Sequence, residues 1–536
     1  MPDRTPPRWS DSGIAASSSR RPDAALPQAV PHASAPPQPD PATLASRWTR
    51  RAFLAASSAA ALPSVFVPRW RLPNPDAPPF PPAFLWGAAS SAYQTEGAAG
   101  EPGKGPSVWD EFVQRPGVIA DGQSGRRACD FFHRYPEDIA LMRALGCNAF
   151  RFSLAWTRIL PDGAGAVRQT GLDFYRRVVD ALLAAGVEPV ATLFHWDTPA
   201  ALQRRGGWQT RDMAHWFADY AAVVARALSD RVRCWLTINE PRSFIGGGYV
   251  TGVQAPGLRL GRRQSLTAAH HVLLAHGRAV QALRAHAPRP LRIGIPNDIS
   301  PALPAAPADA DAAYAATFQS PLDHFTPSHW WDENAWWHEP IYTGAYPAAA
   351  LAALGPDGPV IASGDMATIR QPLDFIAANV YGGRRVAAGA HGEAVLQPWP
   401  PGFPETTFGW PVTPEVMYWA PRWLHQRYRL PVFITENGCS TRDWVSLDGQ
   451  VHDPQRLDFL QRHLRFLAQA ASEGTPLLGY LHWSLLDNFE WQAGYTQRFG
   501  LVFVNFPDGR RIVKDSARGY ARLIASRGAA LVAAAP

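Results

Sequence analysis

The stretch "LTINEP", residues 236–241, is an apolar, β-prone run that stops at two side chains able to do chemistry, Asn239 and Glu240. The same construction recurs in "PVFITENG", residues 431–438, where a strand-like run delivers Glu436 and Asn437 just before a glycine. Barrels of parallel strands carry their reactive residues this way, because the βα loops at the C-terminal ends of the strands form the pocket. Working outward from these two runs, six more of the same kind appear: Phe84 to Ala88, Ala149 to Leu154, Pro189 to Phe194, Leu291 to Ile295, Phe375 to Val380 and Leu477 to His482. With Arg233 to Ile238 and Val432 to Thr435 they make eight. Segments such as "GLDFYRRVVDALLAAG" and "MAHWFADYAAVVARALSD" lie between them, apolar at intervals of three and four as helices packed on a sheet require. Eight alternating units predict an α/β fold of the (β/α)8 TIM-barrel type, a single domain over residues 80–530. An open doubly wound sheet is the rival. It would need a Gly-rich phosphate turn after an early strand, and neither "GAAG" nor the "GGG" at 246–248 has that context.

The start of the chain reads differently. Residues 1–41 hold ten prolines among Ser, Ala and Asp, too little apolar surface to offset chain entropy, so residues 1–45 are expected to be a disordered leader. Next comes "SRWTRRAFLAASSAAALPSVFVP", in which Arg50 and Arg51 precede 17 uncharged residues from Ala52 to Pro68. This resembles a twin-arginine export signal over residues 46–68, followed by a linker at 69–79, and it implies a periplasmic or extracellular protein. Such signals lie nearer the first residue than this one does, which leaves room for a translation start close to Leu44. The segment is weakly hydrophobic and broken by Pro63, poor material for a membrane span.

The charge of +6 is mostly in residues 1–79, where nine Arg face five Asp. What remains is close to neutral, so no nucleic-acid surface is implied. Of 51 basic residues only Lys104 and Lys514 are lysine, a compositional bias rather than a phosphate-binding pattern. The four cysteines lack zinc or CxxC spacing; an even count permits disulfides without establishing them.

Two strand-end glutamates, on the fourth and seventh of eight strands, would face each other across a barrel mouth. Paired carboxyls are what glycosidic cleavage needs, about 5 to 5.5 Å apart when one attacks the sugar, or about 6.5 to 9.5 Å when water must fit between. Sequence spacing does not choose between these. A lone strand-end Glu is more often a surface ion-pairing residue, but two in matching contexts favour a site.

At these residues the chain resembles glycoside hydrolase family 1, the β-glucosidase family of (β/α)8 barrels. "TINEP" is similar to its acid/base motif and "ITENG" to its nucleophile motif. The likeness runs from about Phe80 to Gly519 through "FLWGAASSAYQTEG", "FRFSLAWTRI", "LFHWDTP" and "GYLHWSLLDNFEWQAGYTQRFGLVFV". The resemblance implies a retaining mechanism with Glu436 as nucleophile and Glu240 as acid/base. It implies that Arg151 and Tyr381 orient Glu436, that Asn239 meets the sugar 2-hydroxyl, and that Asn379 lies beside the acid/base. Gln94, His195 and Trp196 are expected near the 3-hydroxyl, Glu490 and Trp491 near the 4- and 6-hydroxyls, Trp483 under the ring, and Trp410 as an outer stacking platform. An intact Glu490 implies an unphosphorylated sugar, and Glu rather than Gln at position 240 implies ordinary O-glycosides.

The expected substrate is therefore a small β-glucoside or short oligosaccharide, with β-galactosides and β-fucosides as further candidates, and no metal or organic cofactor. Arg242 departs from the aromatic or smaller residue many relatives carry after "NEP", which points to a polar or cationic leaving-group pocket. The Trp- and Pro-rich segments "DHFTPSHWWDENAWWHEP" and "QPWPPGFPETTFGWP" are expected to wall it. A transglycosidase of the same family and a non-catalytic carbohydrate-binding barrel are the alternatives; the second would ordinarily have lost a carboxylate. The sequence gives no oligomeric state.

Overall fold

All eight expected strands form the barrel of a computed structural model that describes residues 78–101, 103–318 and 329–533. They are β1 Leu85–Ala89, β2 Ala149–Ser153, β3 Glu188–Phe194, β4 Cys234–Ile238, β5 in two pieces, Arg292–Gly294 and Pro296–Asp298, β6 Ile376–Asn379, β7 Val432–Asn437 and β8 Leu477–Trp483. Apart from β5, each lies within two residues of its expected bounds. The leader at 1–45, the signal segment at 46–68 and most of the linker at 69–79 lie outside the described residues.

Neighbouring strands pair in parallel around the ring, and β1 meets β8. Closure happens inside β5. Its first piece pairs with β4, Leu236 opposite Gly294, and its second pairs with β6, Asp298 opposite Asn379. The break falls at Pro296, which has no N–H to continue the first ladder. Inside the ring Ala149, Val190, Leu236, Phe375, Ala377, Phe433 and Leu481 pack against one another, while Phe150, Trp235, Ile376 and Ile434 point outward into the helix-facing core. That alternation is the period-two rule of a strand, applied to a sheet buried on both faces.

The two quoted amphipathic segments become helices Gln169–Ala184 and Asp212–Leu228, each burying its apolar stripe. Short strands decorate the loops: Ala302–Pro304, Arg384–Ala388 and Ala394–Leu396 form a small sheet, and Val502–Asn505 with Arg510–Val513 a hairpin. All four cysteines are free buried thiols. Burial pushes Cys147, Cys234 and Cys439 up to about 12, which keeps them un-ionised and unreactive. No helix among the described residues is long and apolar enough to cross a membrane.

Candidate active site

The two glutamates reach the same cavity by different backbone devices. Glu240 lies two residues beyond Ile238, the last residue of β4, and adopts φ +43°, left-handed for a residue with a Cβ. Trp196 (φ +77°) and Trp491 (φ +53°) do the same at the same rim. Such conformations cost about 1–3 kcal/mol each and persist where surrounding packing over-determines them, commonly at sites. Glu436 needs a register change. By strict alternation it would point outward with Ile434, but β7 carries one extra residue against β6 between Ile434 and Glu436, and the bulge turns Glu436 inward. Gly438 completes the turn. A Cβ there would lie 1.9 Å from the Trp483 carbonyl oxygen, so only glycine lets β7 and β8 approach so closely.

Glu436 is surrounded by donors. Arg151 on β2 donates from Nη1 to its Oε1, and the Tyr381 hydroxyl donates to its Oε2 at 2.7 Å. Arg151 is itself held by Nε to Thr192 Oγ1 (3.1 Å), Nη1 to the Thr435 carbonyl (3.2 Å) and Nη2 to Asn239 Oδ1 (2.6 Å). Asn379 ties Glu240 to Asn239 and Thr435: its Nδ2 donates to Glu240 Oε1 at 2.7 Å and to Asn239 Oδ1 at 3.1 Å, while its Oδ1 accepts from Thr435 Oγ1 at 2.7 Å. Because Asn239 Oδ1 is taken by these donors, its Nδ2 is the group facing His195 Nε2 at 3.0 Å. That makes His195 Nε2 the acceptor and places the ring proton on Nδ1, which has no partner among the described residues. Burial, and then the charge of Arg151, hold the His195 ring well below its ordinary proton affinity, so it is neutral.

The electrostatics separate the carboxyls. Burial pushes Glu240 well above the ordinary range, and the negative charges of Asp298 and Glu436 push it further. Burial also raises Glu436, but the Arg151 charge and then the Tyr381 hydroxyl pull it back. A single proton shared by the site therefore resides on Glu240.

Both face a cavity of about 680 Å³, the size of a typical small-ligand site. Trp196, Asn239, Asn379, Tyr381, Trp410, Trp483, Glu490 and Trp491 line it with them. Three expected site residues stand just behind this wall. Arg151 and His195 hold its polar members, and Gln94 donates from Nε2 to the Phe489 carbonyl (2.9 Å), Asn488 Oδ1 (3.1 Å) and Glu490 Oε2 (3.3 Å). Glu490 also accepts from Trp483 Nε1 at 3.2 Å, and burial pushes it up to about 8.

The sequence and fold of this chain are shared with known proteins. Residues 77–529 match Glycosyl hydrolase family 1. The chain belongs to that family. Beta-glucosidase A of Thermotoga maritima is 40% identical over 450 residues, covering 84% of this chain and 98% of the relative. The 1,4-beta-D-glucan glucohydrolase of Thermotoga neapolitana is 39% identical over 84% of this chain and 99% of its own length. A bifunctional beta-D-glucosidase/beta-D-fucosidase of Bifidobacterium breve is 37% identical over 84% and 99%. The solved beta-glucosidase from Thermotoga maritima in complex with glucoimidazole superposes with a TM-score of 0.76 at 40% identity, covering 84% of this chain and 99% of that one.

In this family 1 barrel the outer pocket differs in part from the sequence expectation. Arg242 lines it but is not a free cation: its guanidinium pairs with Asp298 at 2.6 Å and lies 3.7 Å from Asp332. The two aromatic segments divide between wall and core. Trp331, Phe408, Trp410 and Pro411 line the cavity, whereas Trp330, Trp336 and Trp337 are buried and Trp399 stacks on Phe403 away from it. Residues 323–328 of the first segment are outside the described residues. Asp298, Ser243, Gln254 and Gln492 also line the site and were not singled out from sequence. Asp298 could have been, since it follows the fifth apolar run closely as Glu240 follows the fourth.

Proposed function

We propose that this chain is a retaining β-glucosidase that hydrolyses unphosphorylated β-D-glucosides in two displacements, with Glu436 as nucleophile and Glu240 as acid/base. The observation that carries the reading is the unequal surroundings of the two carboxyls, Glu436 with a guanidinium and a phenol donating to it, Glu240 with no cation on its carboxyl among the described residues and the negative charges of Asp298 and Glu436 acting on it. In the first step a Glu436 oxygen bonds to the anomeric carbon, the bond to the aglycone oxygen breaks, and Glu240 gives that oxygen its proton. Glu436 is then a neutral ester and its field on Glu240 is gone. In the second step Glu240 takes a proton from water, the water oxygen bonds to the anomeric carbon, and Glu436 leaves as carboxylate.

The rest of the wall suits a pyranose. Trp483 offers an aromatic face, Asn239 Nδ2 offers a donor to the 2-hydroxyl with His195 behind it, and Glu490 meets the 4- and 6-hydroxyls with a carboxyl able to donate and accept. The names of the relatives support glucosides as the main substrate, and the Bifidobacterium relative supports β-fucosides as a second.

Glu436→Ala should abolish turnover of every aryl β-glucoside. Glu240→Ala should lose about 10²- to 10⁴-fold on phenyl β-glucoside, which needs an acid, and far less in the glycosylation of a dinitrophenyl β-glucoside, which does not. Azide should restore its turnover. Equal losses on both substrates, or α-glucose as the first-formed product by proton NMR, would contradict the assignment.

Export through Arg50 and Arg51 is the second part of the proposal, supported by the uncharged stretch that follows them. Arg50→Lys with Arg51→Lys should retain active enzyme in the cytoplasmic fraction; unchanged distribution would count against it.

A further inference from the structure

A second cavity, of about 780 Å³, adjoins the catalytic one and shares none of its lining residues. It lies between the hairpin of residues 404–412, the loop that leaves β7 after Gly438, and the start of the helix Pro454–Ser472. Val412 N–H donates to the Pro404 carbonyl at 2.8 Å and Thr406 N–H to the Trp410 carbonyl at 2.9 Å, which closes the hairpin. Phe408, Trp410 and Pro411 on this hairpin wall the catalytic cavity, whereas Glu405, Thr406, Thr407 and Val412 wall the second. The β7 loop is pinned to it at Ser440, whose Oγ accepts from Phe408 N–H at 3.2 Å and lies 2.7 Å from Thr407 Oγ1. Two walls of the second cavity are therefore fixed to each other.

Its lining has the chemistry of a polyol site. Trp444, 70% exposed, is the most exposed tryptophan among the described residues, and it stands at this cavity. Val412 and the buried Phe459 add apolar surface. Most charged groups of the lining are already engaged: Asp443 by Lys514 and Arg456, Asp458 by Arg462 at 2.7 Å, and His452 by Asp448 and Asp515. One carboxylate, Glu405, one guanidinium, Arg442, and the Gln455 amide are left without a side-chain partner among the described residues. An anion would be repelled by Glu405 and a cation by Arg442, while an apolar ligand would strip water from both without replacing it. A neutral ring rich in hydroxyls meets all three groups and still offers a C–H face to the indole.

We propose that this cavity is a second carbohydrate site, which takes one neutral hexopyranose unit, glucose or the glucosyl end of a glucoside. Its ring lies on Trp444 and its hydroxyls are shared by Arg442, Glu405 and Gln455. Neither Glu240 nor Glu436 lines this cavity, so it binds without cleaving. A sugar held there contacts the same hairpin that presents Trp410 to the catalytic cavity. The inference does not depend on the roles given to Glu240 and Glu436.

The test is chemical labelling of Trp444 in the full-length enzyme with a hydroxynitrobenzyl halide, which alkylates exposed indoles, read by peptide mass spectrometry. D-Glucose should protect Trp444 saturably, with a Kd on the order of 1 mM, the strength of a few hydrogen bonds and one ring face. Sorbitol, with hydroxyls but no ring, should not protect. Arg442→Ala and Glu405→Ala should each weaken the protection about tenfold, the worth of one hydrogen bond to a charged group. Both should keep wild-type turnover of phenyl β-glucoside, since neither residue lines the catalytic cavity. Protection should persist in Glu436→Ala, so the second site and the catalytic assignment stand or fall separately. Labelling that glucose leaves unchanged, or that sorbitol slows equally, overturns the proposal. So does protection that both variants retain in full, which would place the sugar elsewhere, or labelling slowed only by raising the protein concentration, which would make the occupant a second copy of the chain.

Discussion

At Glu436 a single phenol hydroxyl divides the work of keeping a buried carboxylate charged with one guanidinium. Tyr381→Phe removes the 2.7 Å donor and leaves Arg151. Losing a hydrogen bond to an ionised group costs about 1.5–3 kcal/mol, so kcat/KM should fall on the order of ten- to a hundredfold. Removing a donor to the ionised form raises the proton affinity of Glu436, so the acidic limb of the pH–rate profile should move to higher pH, and the profile measures this directly. Gly438→Ala addresses the backbone at the same place: its Cβ would meet the Trp483 carbonyl oxygen at 1.9 Å, and activity should collapse even if the protein is recovered folded by circular dichroism. Identity at this scale was legible. Glu240, Glu436, Asn239, Asn379, Tyr381, Trp483, Glu490 and Trp491 come together as their motifs imply, because each motif ends a strand and strand ends converge. The side-chain pairing of Arg242 was not legible, since its partner Asp298 is 56 residues away and becomes adjacent only when β4 and β5 align.

Among the elements, the loops after β7 and β8 are fastened to the segment before the last long helix by buried charge. Lys514 Nζ donates to Asp443 Oδ2 at 2.6 Å and Asp487 Oδ1 at 2.7 Å, and Arg456 pairs with Asp443 and Asp453; the side chains of Lys514 and Asp487 are wholly buried. Breaking such a cluster from one side leaves uncompensated charge, so Lys514→Met should destabilise the fold by about 3–5 kcal/mol, read from urea unfolding. The loops it secures carry Glu436 and Glu490 at their roots, so activity should fall before the fold is lost on titrating urea. The strand runs themselves were readable because burial on both faces makes them apolar throughout. The split of β5 was not, because a proline just after an apolar run marks its end without saying that a second piece follows and joins the other neighbour.

Over the whole molecule, buried histidines set the acid limit. Burial lowers His276, His463 and His482 to about 3 and His338 to about 4. In the unfolded chain the same rings bind protons near pH 6.5. Between about 6.5 and 4 the unfolded state thus holds more protons than the fold, and stability falls as pH falls through that window. Thermal unfolding followed from pH 7 to pH 4 should show a steady drop in Tm, and a flat profile would mean these rings are solvated. Hydrophobic periodicity and strand-end chemistry, both local properties of the chain, determined the barrel and the family of its chemistry, since each repeating unit carries its own signal. The tertiary structure alone decided which way Glu436 points and what stands behind Glu240. A one-residue bulge reverses the face of a strand, and the Asp298 to Arg242 pair joins distant segments, so neither leaves a mark in any short window of sequence.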